Sequence, residues 1–289
     1  MQVDLVNVTT QDGVRLDGIW RKPEIENESK LGVDVVLLMH GVGGNFYGAG
    51  MFEDYSDTLL ERGCAVLRVN NRGHDPISRV TVDEEPKRFG GAYEVIDECR
   101  ADWKAWVDFA ISKGYKQIGL WGHSLGATKS IYYMAQEHDS RVKCVVAGSP
   151  PRFSYTAFSK MAEGKEFEEM AAYTQKLIDD GQPDYLVDSL NPYPVLVTAD
   201  VWVQKYGPEE KYNILKHIPN VRVPLLVLIG TQEEIDLMTF RGSRQEIEQL
   251  EGELGNLEFE SIPGADHSYT LNNSREYVWK LVSSWLEKV

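Results

Sequence analysis

The sequence predicts an α/β fold with a doubly wound, mostly parallel sheet. Short, uninterrupted apolar runs, typical of strands covered on both faces, alternate along the chain with segments of helical periodicity. An alternating polar–apolar segment precedes this pattern, and an aromatic stretch interrupts it once. These observations predict an antiparallel N-terminal edge hairpin and an inserted lid in addition to the parallel sheet.

The first predicted element is the edge hairpin. Residues 3–8 and 14–20 alternate apolar and polar side chains around the turn sequence Gln11-Asp12-Gly13. A period of two indicates strands with one buried face, and Asp-Gly is a frequent hairpin turn. We therefore expect two antiparallel strands at one edge of the sheet.

The buried strands and the helices between them follow in order. The apolar runs predict strands over residues 33–39, 64–69, 118–121, 142–147 and 225–229, and a last strand is predicted over residues 257–262, before the C-terminal helix. Apolar residues at helical spacing predict helices over residues 51–60, 96–110 and 128–135 and from residue 274 onward. Strands that alternate with helices in this way favour parallel pairing.

Residues 150–219 break this alternation, because prolines, aromatic residues and charged helical pieces are mixed there. An aromatic insertion between two buried strands predicts a lid over the sheet, with residues 1–149 and 220–289 as the core domain. Phe158 and Trp202 are the aromatic residues that we expect to contact a substrate, since small-molecule sites have mostly apolar walls. The alternative is that these pieces are further surface helices of the main domain.

Composition limits the classes of partner. The formal net charge is −15, which disfavours nucleic acid and anionic membrane surfaces. The first residues show neither a basic segment nor an apolar core of the kind found in signal peptides, and no apolar run is long enough for a membrane span. The three cysteines form no CxxC pair. We therefore expect a cytoplasmic protein that acts on a small molecule; the sequence does not predict its oligomeric state.

The sequence Gly122-His123-Ser124-Leu125-Gly126 carries the strongest chemical signal. It lies between a predicted strand and a predicted helix. A serine flanked by glycines fits the sharp strand-to-helix turn that exposes its Oγ, because small neighbours avoid clashes in a strained backbone. Ser124 is therefore the predicted nucleophile.

A glycine-rich loop, His40-Gly41-Val42-Gly43-Gly44, follows the predicted strand at 33–39. Glycines allow close approach of the backbone and leave amide groups free to point at a ligand. We expect the amides of Val42 and Leu125 to form an oxyanion hole. Taken by itself, the loop could be no more than a turn.

A histidine and three acidic residues follow the last two predicted strands. His267 comes after the strand at 257–262, at the sheet edge where sites of α/β proteins form. Its imidazole can act as general base near neutral pH. Glu233, Glu234 and Asp236 follow the strand at 225–229 and compete for the role of acid. No histidine spacing suggests a metal site, and we expect no cofactor.

The chain resembles the α/β-hydrolase superfamily over residues 14–286. In that family the acid commonly lies three residues beyond the glycine that ends its strand, which implies Glu233, although aspartate is more usual there. The resemblance also implies a structural role for the loop at Arg72. The motifs that carry the resemblance, in the family's order, are HGVGG at 40–44, NNRGHDPIS at 70–78, GHSLG at 122–126, LLVLIGTQEE at 225–234 and PGADHS at 263–268.

Members of this family with a Ser-His-acid triad catalyse several reactions. We expect hydrolysis of a carboxylic ester of a small organic substrate through an acyl-enzyme. A carbon–carbon bond hydrolase acting on a diketone is the second hypothesis, and an amidase or thioesterase is the third. Serine at position 124 argues against a haloalkane dehalogenase or an epoxide hydrolase, because family members with those activities carry aspartate at this position. A ligand-binding protein that keeps the triad as a scaffold is a further alternative.

Overall fold

A computed structural model describes residues 3–24, 29–48 and 50–289. Its main feature is a sheet of eight strands flanked by helices. The strands in the described ranges are β1 (Asp4–Thr9), β2 (Arg15–Arg21), β3 (Val35–Met39), β4 (Ala65–Val69), β5 (Ser78–Val82), β6 (Glu85–Phe89), β7 (Ile118–His123), β8 (Val142–Gly148), β9 (Leu186–Ser189), β10 (Val195–Thr198), β11 (Leu225–Gly230) and β12 (Leu257–Ile262).

The large sheet has the order β1-β2-β4-β3-β7-β8-β11-β12. Strands β1 and β2 form an antiparallel hairpin, and β2 pairs antiparallel with β4. From β4 to β12 every neighbouring pair is parallel. The predicted α/β class, the mostly parallel sheet and the antiparallel edge hairpin are confirmed.

The central parallel strands β3, β4, β7, β8 and β11 are almost wholly buried on both faces, which explains their mainly apolar sequences, whereas the edge strand β12 carries exposed residues. In β3, the side chains of Val35, Leu37 and Met39 join one hydrophobic cluster. Those of Val36 and Leu38 join a second cluster on the opposite face. Helices cover both faces, so each strand contributes alternate residues to two separate cores.

The helices begin near the positions that the apolar periodicity predicts. In α2, for example, the side chains of Cys99, Trp103, Trp106 and Ala110 are buried along one face, and a 3₁₀ turn at Ile96–Glu98 precedes it. The helices are α1 (Met51–Glu61), α2 (Cys99–Ser112), α3 (Leu125–Glu137), α4 (Tyr155–Phe158), α5 (Gly164–Asp179), α6 (Ala199–Tyr206), α7 (Ile214–His217), α8 (Glu233–Asp236), α9 (Ser243–Glu253) and α10 (Ser274–Leu286). None of the helices in the described residues is long and apolar enough to cross a membrane.

Residues 150–219 lie between the adjacent strands β8 and β11 and contain α4 to α7 with the β9–β10 hairpin. Their large aromatic side chains do not form a core of their own. Phe158, Phe167 and Trp202 are buried in the same hydrophobic cluster as one face of the sheet. This segment is therefore packed onto the sheet through a continuous core.

Candidate active site

Ser124 lies in a sharp turn between β7 and α3. Its backbone has φ 56° and ψ −126°, a conformation that is costly for a residue with a side chain. The turn also requires a glycine at 122, because a Cβ there would lie 2.1 Å from the carbonyl oxygen of Gly126. The Ser124 amide donates a hydrogen bond to the carbonyl of Gly148 in the neighbouring strand, at 2.8 Å. This geometry is that of a nucleophile elbow, in which the serine hydroxyl projects beyond the strand.

Four adjacent strands of the sheet end close to Ser124. The register pairs His123 with Gly148, Gly148 with Leu228 and Gly230 with Ile262, so β7, β8, β11 and β12 end almost level. Loops that follow these strands therefore meet at one edge of the sheet, as sites in α/β proteins generally do. The sheet thus brings together residues that are up to 143 positions apart.

His267 and Glu233 stand in line with Ser124. The Oγ atom of Ser124 lies 2.9 Å from Nε2 of His267, and Nδ1 of His267 lies 2.5 Å from Oε1 of Glu233. A carboxylate only accepts hydrogen bonds, so the proton of the neutral imidazole is on Nδ1. Nε2 then has a free lone pair directed at the serine hydroxyl. The structure therefore places all three predicted triad residues in a hydrogen-bonded chain.

The carboxylate of Glu233 is buried and held at the start of α8. Its Oε2 atom accepts hydrogen bonds from the amide of Gly230 at 2.6 Å and from the hydroxyl of Ser149 at 2.8 Å. Since Ser149 donates to the carboxylate, the hydroxyl of Tyr269, 2.8 Å away, donates to Ser149. Glu234 is half-buried and Asp236 is exposed, and within the described residues neither carboxylate forms a hydrogen bond with His267.

Ser149 and Tyr269 were not predicted from the sequence. Ser149 directly follows β8 and has a positive φ of 50°, and its side chain reaches Glu233. An apolar strand followed by a small polar residue is too common a pattern to indicate a role. Only the adjacency of β8 and β11 in the sheet brings Ser149 to Glu233.

Two further histidines support the turn and its neighbouring loop. The Nε2–H of His123 donates to the carbonyl of His267 at 2.7 Å, and the Nδ1–H of His40 donates to the carbonyl of Gly41 at 2.8 Å. Burial lowers the pKa of His123 to about 3 and that of His40 to about 4, so both rings are neutral near pH 7. These neutral side chains fix the backbone on either side of Ser124.

The glycine-rich loop lies against the serine. A Cβ at position 41 would lie 2.8 Å from Cβ of Ser124, so only glycine permits this approach. Val42 and Leu125 both line the cavity next to Ser124. Within the described residues, the amides of Val42 and Leu125 donate no hydrogen bond to another protein group, so both can donate to a ligand.

A cavity of about 390 Å³, counted out to its open mouth, leads to Ser124 and His267. Half of its wall comes from the insertion 150–219, and most of the wall is apolar. The residues that line it are Val42, Ser124, Leu125, Pro151, Phe153, Tyr193, Val195, Lys205, Tyr206, Thr239, Phe240 and His267.

The predicted contact residues Phe158 and Trp202 do not line this cavity, and that prediction is corrected. Both side chains are fully buried and pack against Phe167, with ring centroids 5.4 and 5.6 Å from it. Trp202 also donates a hydrogen bond to Ser189 within the insertion. They fill the core behind the cavity wall, while Tyr193 and Phe240 take the expected position beside His267.

Arg72 occupies a buried position away from the cavity. Its guanidinium donates two hydrogen bonds to the buried carboxylate of Asp102 at 2.9 and 3.0 Å, and it also contacts Asp12. These contacts tie the loop after β4 to α2 and to the N-terminal hairpin. Nowhere in the described chain do three or more His, Cys, Asp or Glu side chains form a group suited to hold a metal ion.

Comparisons with known proteins agree with this fold. A family model described as the alpha/beta hydrolase family matches residues 35–278. No match is found among curated proteins.

Several solved structures share the fold. An esterase of Pyrococcus furiosus is 23% identical with a TM-score of 0.63, and the match covers 99% of this chain and 91% of that one. Est1E of Butyrivibrio proteoclasticus with bound ferulic acid is 19% identical with a TM-score of 0.66, covering 97% and 98%. The alpha/beta hydrolase GrgF of Penicillium sp. sh18 is 14% identical with a TM-score of 0.71, covering 100% and 99%. At these identities the likeness concerns the fold.

Proposed function

Since this chain belongs to the alpha/beta hydrolase family, we propose that it is a serine hydrolase that cleaves carboxylic esters of small organic molecules. Ser124 is the nucleophile, His267 the general base and Glu233 the acid that orients it. The observation that carries the proposal is the hydrogen-bonded chain from Ser124 through His267 to Glu233.

The first half of the reaction forms an acyl-enzyme. Nε2 of His267 accepts the proton of the Ser124 hydroxyl while Oγ attacks the ester carbonyl. The resulting imidazolium is stabilised by Glu233, whose carboxylate is already held by Gly230 and Ser149. His267 then gives the proton to the leaving alkoxide, and the carbon–oxygen bond breaks to release the alcohol.

The second half returns the enzyme to its starting state. A water molecule takes the place of the alcohol, and His267 accepts one of its protons as the oxygen attacks the acyl carbon. When the tetrahedral intermediate collapses, the bond to Oγ breaks and His267 returns the proton to Ser124. The products are a carboxylic acid and an alcohol, and no other reactant is consumed.

The amides of Val42 and Leu125 form the proposed oxyanion hole. Both residues border the cavity beside Ser124, and Leu125 is the first residue of α3, where backbone N–H groups lack helical partners. The positive end of the helix dipole lies at the same point and favours negative charge on the substrate oxygen. Loss of one such donor typically raises the reaction barrier by roughly 3–4 kcal/mol.

Ester substrates are favoured over the other bonds that this machinery can cleave. The structural relatives include an esterase of Pyrococcus furiosus, and another of them, Est1E, holds bound ferulic acid. The cavity wall is mainly apolar, as suits an uncharged acyl or alkyl group. We further propose that residues 150–219 act as a cap that sets substrate size, because Phe153, Tyr193 and Tyr206 from this segment form part of the wall.

A substrate panel tests this function. Turnover is measured with 4-nitrophenyl esters of increasing chain length, with a matched anilide, with a thioester and with a diketone, for the wild-type protein and Ser124→Ala. We expect the esters to give the highest kcat/KM and Ser124→Ala to remove activity while the circular dichroism spectrum is unchanged. Preferential cleavage of the diketone would instead assign carbon–carbon bond hydrolysis, and retention of more than a few per cent of esterase activity by Ser124→Ala would contradict the proposal.

A further inference from the structure

Lys205 is the one lysine among the residues that line the cavity. It lies in the last turn of α6 and its side chain is buried, with a relative exposure of 2%. Within the described chain, no carboxylate lies within 4 Å of its ammonium group and no residue accepts a recorded hydrogen bond from it. Lys205 therefore lines the same small cavity as Ser124 and His267, and within the described residues its ammonium group has no protein partner.

The surrounding charges do not neutralise Lys205. Glu94 is buried behind the cavity and forms an ion pair with the buried ammonium of Lys129, which also donates to Asn71 at 3.0 Å. Glu94 thus balances Lys129. The group of Glu94, Lys129 and Lys205 carries one net positive charge, in a protein whose net charge is −15.

Burying a cation without a partner is unfavourable because the charge loses its hydration. Burial lowers the pKa of Lys205 to about 8, opposed by the charge of Glu94 and reinforced by that of Lys129. The side chain is still mainly protonated near pH 7. A ligand that brings a negative charge into the cavity would supply the missing partner.

On the basis of the proposed function, we propose that Lys205 binds a carboxylate of the substrate, so that the enzyme selects esters carrying one free carboxylate. Such an ester is either a half-ester of a dicarboxylic acid or an ester of a carboxylated alcohol. The rest of the wall is mainly apolar, from Val42, Leu125, Phe153, Val195 and Phe240, so an apolar spacer separates the carboxylate from the scissile ester. The acidic surface of the protein repels anions in general, but the positive charge of Lys205 attracts a substrate carboxylate locally.

Matched substrates test this inference. The 4-nitrophenyl half-esters of succinic, glutaric and adipic acid are compared with the same compounds in which the free carboxyl is a methyl ester or a primary amide. The acetate of 4-hydroxybenzoate and that of its methyl ester form the alcohol-side arm. Charge-assisted hydrogen bonds predict roughly a ten- to hundredfold higher kcat/KM for the carboxylate in at least one series. An equal preference for the amide would mean recognition of a neutral acceptor and would overturn the carboxylate assignment.

Two variants separate recognition from a structural role. Lys205→Met keeps the length of the side chain without its charge, and Lys165→Met removes an exposed lysine elsewhere in the insertion. We expect Lys205→Met to bring the ratio of kcat/KM values close to one and to raise the Tm, because an unpaired buried charge is removed. Lys165→Met should keep the wild-type ratio.

The outcomes that overturn the inference are distinct from those that overturn the function. Turnover of neutral esters by the wild type with no preference for any carboxylate overturns the role of Lys205 and leaves the esterase function standing. An unchanged ratio in Lys205→Met, or a lowered Tm with the ratio kept, has the same consequence. Absence of turnover for every ester overturns the proposed function together with this inference.

Discussion

Replacing Glu233 by glutamine should change the protonation pattern of His267 while leaving the packing almost intact. The Oε2 position accepts hydrogen bonds from Gly230 and Ser149, so the amide oxygen of a glutamine would occupy it. Its NH₂ group would then face Nδ1 of His267, where Oε1 now lies at 2.5 Å. A donor at that place favours the tautomer with the proton on Nε2, which cannot accept the proton of Ser124.

The expected loss in kcat is of the order of 10⁴, by analogy with the same change in serine proteases. This corresponds to about 5.4 kcal/mol in the barrier. The assay is turnover of a 4-nitrophenyl ester at saturating substrate, with thermal unfolding as a check on the fold. Glu234→Gln is the matched control and should lower kcat by less than about twofold, as other surface changes do. If Glu234→Gln is crippled and Glu233→Gln is nearly normal, the assignment of the acid is wrong.

Three other predictions follow from named contacts. Ser149→Ala removes one hydrogen bond to the acid and should lower kcat by about tenfold; an unchanged kcat would refute its positioning role. Trp202→Ala should lower the free energy of unfolding by about 3–5 kcal/mol and change the ester chain-length preference little, while Tyr193→Ala, at the cavity wall, should shift that preference. A shifted preference in Trp202→Ala and an unchanged one in Tyr193→Ala would show that Trp202 contacts the substrate after all. Burial lowers the pKa values of His40 and His123, so the unfolded chain takes up their protons first, and the free energy of unfolding should decrease as the pH falls from about 6.5 to about 4, by up to about 1.4 kcal/mol per pH unit for each histidine. Urea unfolding at pH 7, 6 and 5 checks this: the slope should become shallower in the His40→Gln/His123→Gln double variant, and an unchanged slope would contradict the prediction.

The buried strands could be predicted to within one or two residues because two covered faces require an uninterrupted apolar run. The predicted strands at 142–147 and 225–229 are each only one residue shorter than β8 and β11. The edge strand β12, which carries exposed glutamates, also coincides with the predicted strand at 257–262. The hairpin of β5 and β6 was not predicted. Its two-residue turn places Asp83 and Glu84 at positive φ without the glycine or asparagine that usually marks such a turn.

The approximate positions of the site residues could be predicted from the sequence because each predicted triad residue follows a predicted strand. Glu233 could be chosen over its neighbours only through the family resemblance, since three carboxylates lie within four positions of one another. The cavity wall was harder to predict. Aromatic residues of the insertion serve both its core and the cavity, and composition cannot separate Trp202 from Tyr193. Lys205 is likewise one lysine among many until the fold places it in the wall of the cavity that Ser124 also lines.

The covalent reactivity of Ser124 tests the central claim most directly. The protein is treated with a fluorophosphonate, digested, and examined by mass spectrometry for the modified peptide. The account predicts one adduct, on Ser124, which is absent from Ser124→Ala and forms much more slowly in His267→Ala because the base is missing. An adduct on a different residue, or none in a wild-type protein that turns over esters, would contradict the assignment of Ser124 as nucleophile.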